Sequence, residues 1–192
     1  MDKLEKKWYH FVNFFYIFCV IGWIYEVIWE FGVGNGFVNR GFLFGPHLPI
    51  YGFGVLILYF ILRRLIKKDI KIGKLKITPI IVFLAVMIIV SVIEYIGSVF
   101  LEKCFNQELW NYSYDVININ GTIIPLNLNG RISLRNSTFL SLGAMVMLYI
   151  IWPFLEFVYS KIKDNVVKVL AIFIICGMSV DLIFTLMKNF VK

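Results

Sequence analysis

The sequence predicts an all-α membrane protein: a bundle of about five transmembrane helices with a small exoplasmic β-hairpin or meander inserted between the third and fourth. Three observations carry that expectation. Hydrophobic residues make up 60% of the chain and charged ones 16%, with a mean hydropathy of +0.81, a balance far from that of a water-soluble domain. Apolar stretches of about 20 residues, the length that crosses a ~30 Å hydrocarbon core, recur along the chain. Only one connection between them, residues 104–137, is long and rich in turn signals. Residues 1–192 therefore read as a single polytopic membrane domain.

The opening lysines precede an apolar run, as in a signal peptide, but the run is too long and no small-residue cleavage site follows, so it reads as a first retained helix over 8–31. Further helices are expected over 50–66, 78–101, 137–159 and 166–187. Between the first two lies "NRGFLFGPHLPIYGFG", which concentrates prolines and glycines where a short loop would suffice. Lys3, Lys6, Lys7, Arg63, Arg64, Lys67, Lys68, Lys71, Lys74, Lys76, Lys161, Lys163 and Lys168 fall on one side of the membrane. Arg40, Lys103, Arg131, Arg135, Lys188 and Lys192 fall on the other. Short loops rich in Lys and Arg stay cytoplasmic, which places the N-terminus inside and the Gly/Pro-rich loop outside. "RRLIKKDIKIGKLK" then reads as a topology determinant that meets anionic headgroups, with docking of a cytoplasmic partner as the alternative.

In the long connection, "NING" and "NLNG" put Asn-Gly between alternating apolar residues, the preferred centre of a two-residue hairpin turn. A small β-meander is expected, with turns at Asn120-Gly121 and Asn129-Gly130 and an edge position or bend at Pro125. Cys19, Cys104 and Cys176 form no C-x-x-C pair and suggest neither a disulfide framework nor a thiolate metal site. His10 and His47 fall on opposite predicted sides. No metal and no cofactor is expected. Without a G-x-x-x-x-G-K-[ST] segment the chain offers no P-loop for ATP.

The chemistry concentrates in charges that lipid disfavours. Glu26 and Glu30 share a face of the first helix with Gly22. Ser91, Glu94, Ser98 and Glu102 recur at spacings of three and four on the third helix, a polar stripe among Ile, Val and Phe. Asp181 shares a face of the last helix with Met178 and Thr185. All these acids fall in the outer halves of outward-running helices. Arg40, Lys103, Arg131 and Arg135 are the cations available there, and the inward-running helices begin there near Pro49 and near Asn136 and Ser137. The convergence predicts an outward-facing polar pocket, suited to an anion or a zwitterionic headgroup. Glu26, Glu30, Arg40, Glu94, Glu102, Arg131 and Asp181 are its candidate binding residues, with Glu94 and Arg40 expected in the same pocket. The competing reading is that these charges pair with one another to lock the bundle.

"GFVNRGFLFGPHLPIYGFG", then "IEYIGSVFLEKCF", "LWNYS" and "LNGRISL" in that order, resemble the bacterial membrane family called Putative ABC-transporter type IV, or CmpB-like. The resemblance covers about two thirds of the chain. Its motif positions fall on Glu26, Asn39, Arg40, Gly41, Gly45, Pro46, Pro49, Tyr51, Gly52, Glu94, Glu102, Trp110, Tyr112, Ser113, Asn129, Gly130 and Arg131. Two departures stand out: Asn111 replaces an Asp, and "NINGTIIPL" reads as an insertion between the Tyr-Ser and Asn-Gly-Arg segments. The resemblance implies a small permease-like subunit in the bacterial cell membrane, served by a separate cytoplasmic ATPase. The other partners considered are membrane lipids and a second copy in a homo-oligomer; no nucleic acid is expected. A transport-related role is thus the leading expectation. An intramembrane enzyme using Glu26 or Glu94 as acid or base on a lipid-linked substrate is the alternative, and a structural or accessory role the third.

Overall fold

The structure, a computed structural model, describes residues 7–39, 41–105 and 111–190. Among the described residues five helices are long and apolar enough to cross a membrane: Trp8–Gly32, Pro49–Ile66, Thr78–Phe100, Leu134–Tyr159 and Asp164–Lys188. In chain order the elements are α1 (Trp8–Gly32), α2 (Pro49–Ile66), β1 (Lys71–Ile72), β2 (Leu75–Lys76), α3 (Thr78–Phe105), β3 (Val116–Ile119), β4 (Thr122–Pro125), β5 (Asn127–Leu128) and β6 (Ile132–Ser133). Then follow α4 (Leu134–Val146), a π-helical turn (Met147–Ile151), α5 (Trp152–Tyr159) and α6 (Asp164–Phe190). The fourth span starts three residues earlier than hydropathy places it. Its first turn is polar and is held by a cap, the Ser133 hydroxyl accepting from Asn136 N at 3.1 Å. Pro153 has no N–H to return to the turn before it, and the chain is π-helical just there.

The chain forms two compact units, one comprising the described residues up to Tyr59 and from Leu148 onward, the other Phe60–Met147. In the first unit α1 and α6 lie side by side with their N-terminal ends together. Lys7 Nζ meets Asp164 Oδ2 at 2.6 Å, and Asn13 Nδ2 donates to Val167 O at 3.0 Å. The core of this unit centres on Trp152, fully buried. Tyr59 stacks on it at 3.7 Å between ring centroids, Phe18 stacks at 5.8 Å, and Phe14 meets it edge-on at 5.1 Å.

Glycines set how closely α1 and α2 approach. A Cβ on Gly22 would stand 2.6 Å from Tyr51 Cβ, and one on Gly52 would stand 2.6 Å from Cys19 Sγ and from the Phe15 ring. Each helix thus offers a glycine to the other's side chains, the small-residue contact that lets helices pack closely without an aqueous hydrophobic drive.

In the second unit α3 packs on α4, and the connection between them folds into two separate antiparallel pairs, β3–β4 and β5–β6, rather than one continuous meander. The break follows Pro125, which cannot donate to a further strand. The first hairpin turns at Asn120-Gly121, both residues at positive φ (51° and 84°), as a two-residue primed turn requires. The second needs three loop residues, because Leu128 pairs with Ile132. The basic segment after α2 is also folded. β1 pairs with β2, Thr78 Oγ1 accepts from Ile70 N and donates to Lys68 O, and Asp69 meets Lys71 Nζ at 2.7 Å and Lys76 Nζ at 3.0 Å.

Two outcomes follow. Gly52→Val should lower the unfolding midpoint in detergent by an amount matching ~1–3 kcal/mol of overpacking. Gly54→Ala, with open space at its Cβ position, should leave the midpoint nearly unchanged. The hydrogen bonds from Lys71 and Lys76 hold the Asp69 carboxyl below its ordinary 3.8. A depressed carboxyl stabilises fully above its unfolded value and loses that contribution as pH falls through the folded one. Backbone NMR shifts of Ile72 and Leu75 should therefore be constant above about pH 5 and change only in acid, whereas Asp69→Asn should show the altered shifts already at neutral pH.

Candidate functional site

The polar groups of the first unit gather around the connection from α1 to α2. Asp181, on α6, accepts from Phe44 N at 3.0 Å, Gly45 N at 2.9 Å and Thr185 Oγ1 at 3.4 Å, and lies 3.1 Å from His47 Nε2. Gly45 permits this approach, since a Cβ there would sit 2.9 Å from the carboxylate. Asn39 holds the segment to α1: its Oδ1 accepts from Trp23 Nε1 at 2.6 Å while its Nδ2 donates to Phe44 O at 3.0 Å. Leu48 N donates to Cys19 O at 3.0 Å, and Gly41, at a φ of 114°, makes a turn that L side chains resist. Pro49 opens α2, where its missing N–H costs nothing. Tyr51, one turn in, donates its hydroxyl to Glu26 Oε1 at 2.5 Å, and Asn35 Nδ2 donates to Glu30 Oε2 at 2.6 Å.

In the second unit each member of the α3 stripe has a partner. Ser91 Oγ donates to Ser137 Oγ at 3.1 Å, and Glu94 accepts from Asn136 Nδ2 at 2.9 Å and from Ser137 Oγ at 3.3 Å. Ser98 accepts from Arg131 Nη1 at 2.9 Å, and Glu102 pairs with Arg131 Nη2. The described parts of the two motif segments that flank the β3–β4 hairpin, residues 111–113 and 128–134, are joined to each other. Tyr112 N donates to Gly130 O at 2.8 Å, Tyr112 Oη accepts from Asn136 Nδ2 at 3.0 Å, and a Cβ on Gly130 would meet Ser113 Oγ at 2.7 Å. The β3–β4 hairpin leaves this structure through a closed stem, with Leu126 N and Asn127 Nδ2 donating to Asp115 O at 2.9 and 3.1 Å. Asp115 itself is buried, bonded by Ser133 and 3.1 Å from Arg135 Nη2.

Of the residues predicted to bind, Glu26, Glu30 and Asp181 belong to the first unit, and Glu94, Glu102 and Arg131 to the second. Arg40 and the motif residue Trp110 lie outside the described residues, and with Arg40 the expectation that it shares a pocket with Glu94. Sequence reasoning missed a second polar cluster in the first unit. Glu156 accepts from Trp152 Nε1 at 2.8 Å, while Asn13, fully buried, donates to Tyr9 O and Val167 O and accepts from Tyr159 Oη at 3.4 Å. The i, i+4 spacing of Trp152 and Glu156 was the available signal.

Five apolar spans, with carboxylates met by donors from connecting segments and neighbouring helices, define a multi-pass helical membrane protein. The family described as Putative ABC-transporter type IV matches residues 13–186, and the chain belongs to that family. No curated protein and no solved structure matches it significantly.

Tyr51→Phe removes the hydroxyl donor from Glu26 while keeping the ring against Gly22. It should lower stability by roughly 1.5–3 kcal/mol, the weight of one hydrogen bond to a charged group. Glu26→Gln, which retains an acceptor, should cost less; thermal unfolding of both variants in one detergent makes the comparison.

Proposed function

We propose that the chain is the permease-like subunit of a transport system in the bacterial cell membrane, with its N-terminus cytoplasmic. The observation that carries this reading is family membership over residues 13–186, joined to five apolar spans. The excess of Lys and Arg on the side of segment 63–76 supports the orientation. Glu26, Glu30 and Asp181 in the first unit, Glu94, Glu102 and Arg131 in the second, and Arg40 are the groups we assign to contact with a small molecule or lipid headgroup. The sequence has no phosphate-binding loop, so a separate cytoplasmic ATPase drives the movement. The folded basic hairpin β1–β2 is its docking place, a rigid, positively charged surface held by Thr78 and Asp69.

Purification from native membranes in mild detergent should recover an ATPase with the chain, and Lys68→Glu with Lys74→Glu, both exposed and outside the Asp69 ion pairs, should release it without lowering the unfolding midpoint. Reproducible recovery of the chain without any ATPase would overturn the reading.

A further inference from the structure

Glu94 lies within the third span, six residues or ~9 Å along the helix from its end at Phe100. Its hydrogen-bond partners are neutral: the amide of Asn136 and the hydroxyl of Ser137. Among the described residues no cation stands within ion-pair distance of it. Arg131, on the same side of α3, is engaged by Ser98 and Glu102, and Arg135 by Asp115. Tyr112 Oη accepts from Asn136 in turn. Two neutral hydrogen bonds spread a carboxylate's charge and do not cancel it, and an uncompensated charge within a span is costly.

The surroundings describe what would cancel it. Ser137 is buried, and its oxygen stands between the Glu94 carboxylate at 3.3 Å and the Ser91 hydroxyl at 3.1 Å. Each hydroxyl can donate or accept, so this chain of oxygens can turn its lone pairs toward a positive charge. The donor set is oxygen only, which suits a hard ion and excludes sites built on thiolate or imidazole. A single carboxylate balances one positive charge, and a divalent ion would leave the site charged.

We propose that Glu94, Ser137 and Ser91, with Asn136 fastening the carboxylate, form an intramembrane binding site for a monovalent cation, either a proton or Na⁺. The site stands independently of the transport reading. Coupling of its occupancy to substrate movement rests on that reading and would give the chain an ion-driven step of its own.

The test measures thermal unfolding of the full chain in detergent, once with NaCl replacing choline chloride at constant ionic strength, and once across a pH series without Na⁺. The wild type should be stabilised in at least one series, and Glu94→Gln should lose that response while keeping a defined transition. Stabilisation by Na⁺ at fixed pH identifies Na⁺; stabilisation by acid alone identifies the proton. Ser137→Ala guards against misfolding of the Glu94 variant and should move the midpoint of the response by roughly 3- to 10-fold in cation concentration, the weight of one hydrogen-bonding partner. Equal responses in wild type and Glu94→Gln, or a Ser137→Ala response superimposable on the wild type, would overturn the site. No substrate or ATPase enters the measurement, so its failure leaves the transport reading standing, and failure to recover an ATPase leaves the site standing.

Discussion

Carboxylates that enter hydrocarbon must be met by a donor, and much of this protein's irregular structure supplies one. Glu26 is met by Tyr51, Glu30 by Asn35, Glu94 by Asn136 and Ser137, Glu156 by Trp152 and Asp181 by the amides of Phe44 and Gly45. Several of these donors come from segments that join the helices or from the first turn of the next helix. In hydrocarbon an unmet polar group costs several kcal/mol, so the connections are held in shape by the same charges that they satisfy. The Gly/Pro-rich segment shows the principle most plainly. Gly45 lets a carboxylate touch backbone, Gly41 makes the turn that precedes it, and Pro49 starts the helix whose Tyr51 then reaches Glu26.

This arrangement ties fold to function. Polar side chains in a membrane span mark pathways or sites. Asp181 lies beside His47 as well as the Phe44 and Gly45 amides, and Glu102 pairs with Arg131. Among the described residues Glu94 meets only the Asn136 amide and the Ser137 hydroxyl, which is why the proposed cation site is placed there. The family to which the chain belongs, described as Putative ABC-transporter type IV, gives these polar groups a transport-related context.

The spans were legible because a 20-residue apolar window is set by bilayer thickness, and the hairpin turns because Asn-Gly is one of few pairs that accept two positive φ angles. The α3 stripe was legible through its spacing of three and four. Its partners were legible in part: Arg131 stood among the available cations, whereas Asn136 and Ser137 entered only as a helix start, because short neutral residues announce no contact with a particular carboxylate. The Asp181 contacts were invisible for a different reason: their donors are backbone amides, which no residue type announces. The close approach of α1 and α2 escaped as well, since Gly22 and Gly52 carry no side chain to form a pattern and their partners, Tyr51 and Cys19, lie on the other helix.

The central claim, that membrane carboxylates order the connections, is tested most directly at Asp181. Hydrogen–deuterium exchange of the Phe44 and Gly45 amides, followed in the full chain in lipid nanodiscs, reads the contact itself. The account predicts slow exchange at both amides in the wild type and fast exchange in Asp181→Ala, with the amides of mid-helix α6 residues such as Ala171 unaffected. Fast exchange at Phe44 and Gly45 in the wild type, or protection unchanged by the substitution, would contradict it.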